Sequence, residues 1–232
     1  MLSTLSLGLL LGFLSAPDDP APGDLPVVVL IGDSIRIGYA PRVIERLEGK
    51  ARVSNPDRNG GDTSNVLAFL DEWAIRTNPA VIHINAGLHD LKYDREAGEH
   101  QVKRDDYRAN LEKILNRLES ETSARLIFAT TTPIDEGRHN RVKPFDRREA
   151  DVKHYNATAL EVLKSHPEIV VHDLHAVAES LGIESALVAD GVHFTPEASK
   201  ALGDRVADQI EQALAERSRA ARVKGTLDLD VP

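Results

Sequence analysis

The sequence predicts a single α/β domain in which a five-stranded parallel sheet lies between two layers of helices. Three observations carry that reading. Short apolar runs alternate with amphipathic stretches along most of the chain, which is the signature of repeated strand–helix units. The first run, Val27-Val28-Val29-Leu30-Ile31, has no polar break, as a parallel strand buried on both faces requires. The 232 residues are enough for one such domain with a full core.

The elements follow in order. After the strand at residues 27–31, Ile37, Ala40, Val43, Ile44 and Leu47 recur at helical spacing. Residues 51–54 make a short second strand, and residues 64–75 a helix. The third strand is Ala-Val-Ile-His-Ile-Asn at 80–85. Tyr107, Leu111, Ile114, Leu115 and Leu118 line one face of a helix. Residues 125–131, apolar and β-branched, make the fourth strand. Tyr155, Ala159, Val162 and Leu163 mark another helix, and residues 168–171 the fifth strand. The last helix carries Ala198, Leu202, Val206, Ile210 and Leu214 at every fourth position. Thr195 is its expected N-cap and Pro196 its first residue. Right-handed crossovers then build a three-layer α/β/α sandwich.

Composition excludes several classes. With 41% hydrophobic and 28% charged residues, the chain is globular rather than disordered. A formal net charge of −9 lacks the basic footprint of a general nucleic-acid binder. The absence of cysteine removes disulfides, thiolate metal sites and cysteine nucleophiles.

The N-terminus bears on location. Leu5 to Leu14 is apolar except for Ser6, Gly8 and Gly12, and is too short to span a bilayer comfortably. It reads as the core of a signal peptide, with Ser15-Ala16 as small residues for cleavage, although no Lys or Arg precedes it. Pro17, Pro20, Pro22 and Pro26 follow as a linker. The expected organisation is a signal peptide or N-terminal apolar segment with a Pro-rich linker at 1–24, one domain at 25–216, and a polar tail at 217–232. Export to the periplasm or the medium follows from that reading. The alternative is an N-terminal helix packed on a cytoplasmic domain.

In sheets of this kind, ligands bind beyond the carboxyl ends of the strands, so those segments hold the candidate chemistry. The first strand runs into Gly32-Asp33-Ser34, which puts a hydroxyl at a helix entry where backbone N–H groups are free. A hydroxyl is a weak nucleophile and needs a base. The second strand is followed by Asn59-Gly60-Gly61-Asp62-Thr63-Ser64, where a glycine N–H can approach a developing oxyanion. The third leads to Asn85-Ala86-Gly87-Leu88-His89-Asp90. Near the end stands Asp190-Gly191-Val192-His193, where His193 can take the Ser34 proton and Asp190 can fix the imidazole tautomer.

These four segments, in this order, resemble the blocks of the SGNH hydrolases, also called GDSL-type esterases and lipases, over residues 27–214. The resemblance implies a flavodoxin-like α/β/α fold. It implies Ser34 as nucleophile, His193 as base and Asp190 as its partner, with Ser34 N–H, Gly61 N–H and the His89 position as the oxyanion hole. No metal or organic cofactor is implied. The third block departs from the usual Gly-x-Asn-Asp. It reads Gly87-Leu88-His89-Asp90, which we take as the mark of a bacterial subgroup. A neutral His89 donates from one ring nitrogen and an imidazolium from both; the sequence leaves the two forms open.

Arg36, two residues after Ser34, is a candidate for binding an anionic group of the substrate. Residues 134–148, rich in Arg and Lys, read as a solvated loop that can rim the site. His172-Asp173-Leu174-His175 invites a metal reading, but Asp173 capping a short helix accounts for it more simply. The expected function is hydrolysis of small acyl esters, acetyl groups on carbohydrate among them, through an acyl-enzyme. The rivals are an acyltransferase with the same residues, or a non-catalytic carbohydrate-binding protein on the same fold.

Overall fold

The computed structural model describes residues 25–227, with side chains to residue 220. The apolar run and the Pro-rich segment read as a signal peptide and linker therefore lie outside the described residues. In chain order the elements are β1 (Val27–Ile31), α1 (Ser34–Arg46), β2 (Arg52–Ser54), α2 (Thr63–Trp73), β3 (Val81–Asn85), β4 (Tyr93–Asp94), β5 (Glu99–His100), α3 (Arg104–Glu121), β6 (Arg125–Ala129), α4 (Glu136–Val142), β7 (Phe145–Asp146), α5 (Glu149–Leu163), β8 (Val170–His172), α6 (Leu174–Ser180), α7 (Ile183–Ala186) and α8 (Pro196–Leu227).

Five strands form one parallel sheet in the order β2-β1-β3-β6-β8. Numbered within the sheet this is 2-1-3-4-5, the flavodoxin-like order, whose switch point lies between β1 and β3. The helices α1 and α8 pack together over one face, while α2, α3 and α5 form the layer on the other. The central strands explain the apolar runs. Val28 to Ile31 and Val81, Ile82 and Ile84 are fully buried, and each such side chain contributes about 1.5–3 kcal/mol of burial free energy. His83 breaks the run in β3. Buried between Tyr39 Oη, 3.4 Å from its Nδ1, and His172 Nδ1, 3.3 Å from its Nε2, it is held well below the ordinary histidine range, at about 3, by burial first and by His172 second.

Three features differ from the sequence reading. Residues 134–148 are not a solvated loop. They form α4 and β7, and β7 joins a small antiparallel sheet in the order β5-β4-β7. Two-residue strands have no period to detect, so the pattern could not reveal them. The face of α1 turned to the core is Ile35, Tyr39, Ala40 and Val43, while Ile37 and Ile44 are exposed. The helix α8 runs to Leu227, beyond residue 217 where the tail was expected. Its start agrees with expectation: Pro196 is the first helical residue, and Thr195 Oγ1 accepts from Ala198 N–H at 3.2 Å.

Candidate active site

The chain turns sharply after β1. Asp33 caps α1 by accepting from Ile35 N–H at 2.8 Å, so Ser34 becomes the first helical residue, with its N–H among the unpaired donors of the helix start. From the far end of the chain, residues 188–193 fold into a tight loop. Val188 N–H donates to His193 O at 2.8 Å, and Gly191 N–H to Val188 O at 3.0 Å. Gly191 has φ of 71°, and a Cβ there would meet Arg138 Cβ at 2.8 Å and His139 N at 2.9 Å. Only glycine suits both the torsion and the space.

That loop delivers two side chains to Ser34. His193 Nε2 lies 2.8 Å from Ser34 Oγ, and His193 Nδ1 lies 2.5 Å from Asp190 Oδ2. Asp190 Oδ1 accepts from the N–H groups of Val192 and His193, each at 3.0 Å. Burial would push this carboxyl up. The His193 side chain and the two backbone N–H groups outweigh it and hold the carboxyl at about 2. The carboxylate therefore keeps the proton of His193 on Nδ1 and turns the Nε2 lone pair to the hydroxyl, as general-base activation of a serine requires. The His193 side chain is 43% exposed, so the hydroxyl can be approached from solvent.

Two flanking loops complete the surroundings. Gly60 N–H donates to Gly32 O at 3.0 Å, which lays the loop after β2 against the Ser34 turn. A Cβ on Gly60 would stand 2.7 Å from that same oxygen. Gly61 N–H is not free: it donates to Asn59 Oδ1 at 2.8 Å. The expected oxyanion donor is thus engaged by its own loop. The loop after β3 is tied to the same region through Asp90, which accepts from Thr63 N–H at 3.0 Å and from Thr63 Oγ1 at 2.5 Å.

His89, half-buried beside Asp90, faces Lys92, whose Nζ lies 3.0 Å from His89 Nδ1. Burial first, then the charge of Arg147, lower Lys92; while it stays an ammonium it has only protons to offer, which makes Nδ1 the acceptor and leaves the ring proton to Nε2. Burial first, then the charges of Lys92 and Arg147, lower His89 to about 4. Near neutral pH this favours the neutral imidazole of the two forms left open by the sequence.

Arg36 corrects an expectation. It is 1% exposed and points inward, its Nη2 donating to Arg58 O at 2.8 Å. Longer contacts of 3.4 Å reach Gly32 O. It braces the first two loops and offers no group to a substrate. The buried arginine the sequence missed is Arg147. Its Nε donates to Leu88 O at 2.8 Å, and Nη1 lies 3.4 Å from His139 Nε2; His139 Nδ1 in turn lies 3.3 Å from Asp190 O. Arg147 thus links the loop of His89 to the loop of Asp190. Burial pushes it down to about 10, against the opposing pull of Asp33 and Asp190. The composition of residues 134–148 pointed to cations, but nothing in the pattern marked this one as buried. Asp173 caps α6 by accepting from Ala176 N–H at 3.1 Å, and among the described residues no cluster of three or more His, Asp or Glu is placed to hold a metal ion.

Residues 30–201 match the model of the GDSL-like lipase/acylhydrolase family. The chain belongs to this family. It is a carboxylic ester hydrolase of the GDSL type. Solved structures agree in fold. A lipase/acylhydrolase from Enterococcus faecalis superposes with a TM-score of 0.69 at 25% identity, over 81% of this chain and 96% of that one. An acetylxylan esterase from Geobacillus stearothermophilus gives 0.65 at 21% identity, over 80% and 94%. A GDSL-like lipase from Bacteroides thetaiotaomicron gives 0.62 at 17% identity, over 85% and 91%. No curated protein matches this esterase significantly. Among the described residues, no helix of the enzyme is long and apolar enough to cross a membrane.

Proposed function

We propose that this esterase cleaves small acyl esters, acetyl groups on carbohydrate in particular, with Ser34 as nucleophile, His193 as general base and Asp190 as the group that orients it. The observation that carries the reading is the continuous chain of short contacts from Asp190 Oδ2 through His193 to Ser34 Oγ. In the first step Ser34 Oγ attacks the ester carbonyl carbon while its proton passes to His193 Nε2. The tetrahedral oxyanion collapses, the C–O bond to the alcohol breaks, and His193 returns the proton to the leaving oxygen. Water, deprotonated by the same imidazole, then attacks the acyl-Ser34 carbonyl. A second collapse frees the carboxylic acid and restores the serine.

The oxyanion falls to Ser34 N–H and the Nε2–H of His89, while Gly61 N–H, engaged by Asn59 Oδ1, is not a preformed donor. Such donors act because they are fixed before charge develops. The acetyl-carbohydrate preference rests on the acetylxylan esterase among the structural relatives and on the open approach to His193. The N-terminal apolar run is proposed as an export signal, and mass spectrometry of the mature protein checks it: an intact Met1 in the cytosolic fraction removes it.

Fluorophosphonate labelling followed by peptide mapping tests the nucleophile without needing the natural substrate. Labelling at Ser34, with hydrolysis of an activated acetyl ester lost in Ser34→Ala, is the expected result. Labelling at another serine, or undiminished turnover in Ser34→Ala, overturns it. Release of acetate from acetylated xylo-oligosaccharides, measured with and without an acceptor alcohol, tests the substrate class and separates hydrolysis from acyl transfer.

A further inference from the structure

A histidine is an awkward replacement for an asparagine as a hydrogen-bond donor. An amide has its donor and acceptor on separate, fixed atoms. A neutral imidazole has one proton and two nitrogens to hold it, and only one of the two tautomers can donate toward the site. Something must choose.

The small sheet supplies the choice. In β4 and β7 the register pairs Tyr93 with Asp146 and Asp94 with Phe145. Lys92 directly precedes the first strand and Arg147 directly follows the second, so both cations are carried to the same place. They share one ring: Lys92 Nζ stands 5.4 Å and the Arg147 guanidinium 5.2 Å from the centroid of Phe145. From there Lys92 reaches His89 Nδ1 at 3.0 Å, and Arg147 holds the preceding residue through Leu88 O at 2.8 Å.

We propose that Lys92 is a positioning residue for ester hydrolysis: its ammonium donates to His89 Nδ1 and so fixes the neutral ring in the form that carries its proton on Nε2, the nitrogen left to meet the oxyanion. The charge also draws electron density from the ring and makes Nε2–H a stronger donor as the oxyanion forms. Arg147 adds the backbone half of the arrangement. The groups whose charge reaches His89 are Lys92 and Arg147, which disfavour the imidazolium, Asp62, which favours it, and His193, which disfavours it when charged. The inference rests on the assignment of His89 to the oxyanion, and the experiment separates the two.

The test is a double-mutant cycle on an activated acetyl ester, with thermal melting to establish that each variant is folded. Lys92→Met keeps the apolar stem over Phe145 and removes the charge. It should lower kcat about tenfold, the scale of one charge-assisted hydrogen bond, and leave KM within about twofold. Lys92→Arg, which retains a donor, should recover most of the rate. In a His89→Asn background, Lys92→Met should do almost nothing, because an amide has no tautomer to set. Nitrogen-15 spectra of the histidines, assigned by the signal lost in His89→Asn, should show wild-type His89 protonated at Nε2 and a mixture of tautomers in Lys92→Met. Equal losses from Lys92→Met in both backgrounds, or a wild-type His89 protonated at Nδ1, overturn the role of Lys92. Wild-type turnover in His89→Ala overturns the oxyanion assignment itself, whatever Lys92 does.

Discussion

Asp90 offers a prediction in which the sign of a pH effect is fixed by burial. Its side chain is fully buried and accepts from Thr63 twice. Those bonds favour the carboxylate, but burial outweighs them and raises the group to about 6, against 3.8 for an ordinary aspartate. A carboxyl raised in the folded state binds its proton more tightly there than in the unfolded chain. The folded protein is therefore favoured below the unfolded value and loses that advantage as pH rises through about 6. At about 1.4 kcal/mol per pH unit, the loss approaches 3 kcal/mol. Asp90→Asn preserves the shape and one acceptor oxygen but has no proton to release. Urea unfolding of both proteins from about pH 4 to about pH 7 removes the contributions of all other titrating groups from the difference. Relative to the variant, the wild type should lose about 2.4 kcal/mol across that range, the rest of the effect lying below about pH 4, and then level off. A difference that stays flat, or that grows in favour of the wild type with rising pH, would show that the hydrogen bonds to Thr63 dominate burial.

Other expectations follow from the same geometry. Ser34→Ala and His193→Ala should each nearly abolish turnover, while the double variant should be hardly worse than either, because the two act as one unit; two large independent factors in the rates would break the assignment. Gly191→Ala should cost activity and several degrees of Tm together, since φ is 71° and the space is filled by Arg138 and His139; a normal melting curve with normal turnover would contradict it. Arg36→Met leaves Arg58 O without its partner and should cost about 1–3 kcal/mol of stability with KM little changed; a large rise in KM for charged esters at unchanged Tm would restore Arg36 to the substrate. With His89 held at about 4, the pH–rate profile should contain no alkaline limb that His89→Asn removes, and finding one would mean that the imidazolium is the working form.

The five parallel strands and the two segments that the structure brings together at the candidate site were legible for one reason: both are encoded locally. A strand buried on both faces shows as an unbroken apolar run, as at Val27–Ile31. Ser34, Asp190 and His193 each sit in a short segment with its own turn signal, and the strand order then brings residues 34 and 193 together. What escaped notice depends on partners distant in sequence. Arg147 looks like its neighbours Arg141 and Arg148, yet it alone of the three is buried, held by Leu88 O. Arg36 sits at a suitable place to meet a substrate, and only the third dimension shows Arg58 O closing over it. Gly61 has the torsion of a turn glycine, with φ of 67°, but that Asn59 would take its N–H could not be read from either residue alone.

One of these misses, Arg147, follows from the chemistry proposed for His89. A histidine that serves as a neutral donor must be kept from becoming a base, because a protonated ring would add charge beside His193 and oppose its acceptance of the serine proton. Burial alone lowers the basicity of an imidazole but leaves its tautomer free. A cation at one nitrogen does both: it repels the second proton and orients the first. On the proposed role of His89, the cation comes from Lys92, one local turn away with its N–H donating to His89 O at 3.3 Å, and its support from Arg147, which β7 carries to Leu88 O by pairing with β4. If His89 is the donor we propose, the departure from asparagine at one position brings a requirement for positive charge at two others. On this reading residues 134–148, which by composition read as a solvated loop, include one arginine whose work is directed inward, toward the protonation state of the proposed donor.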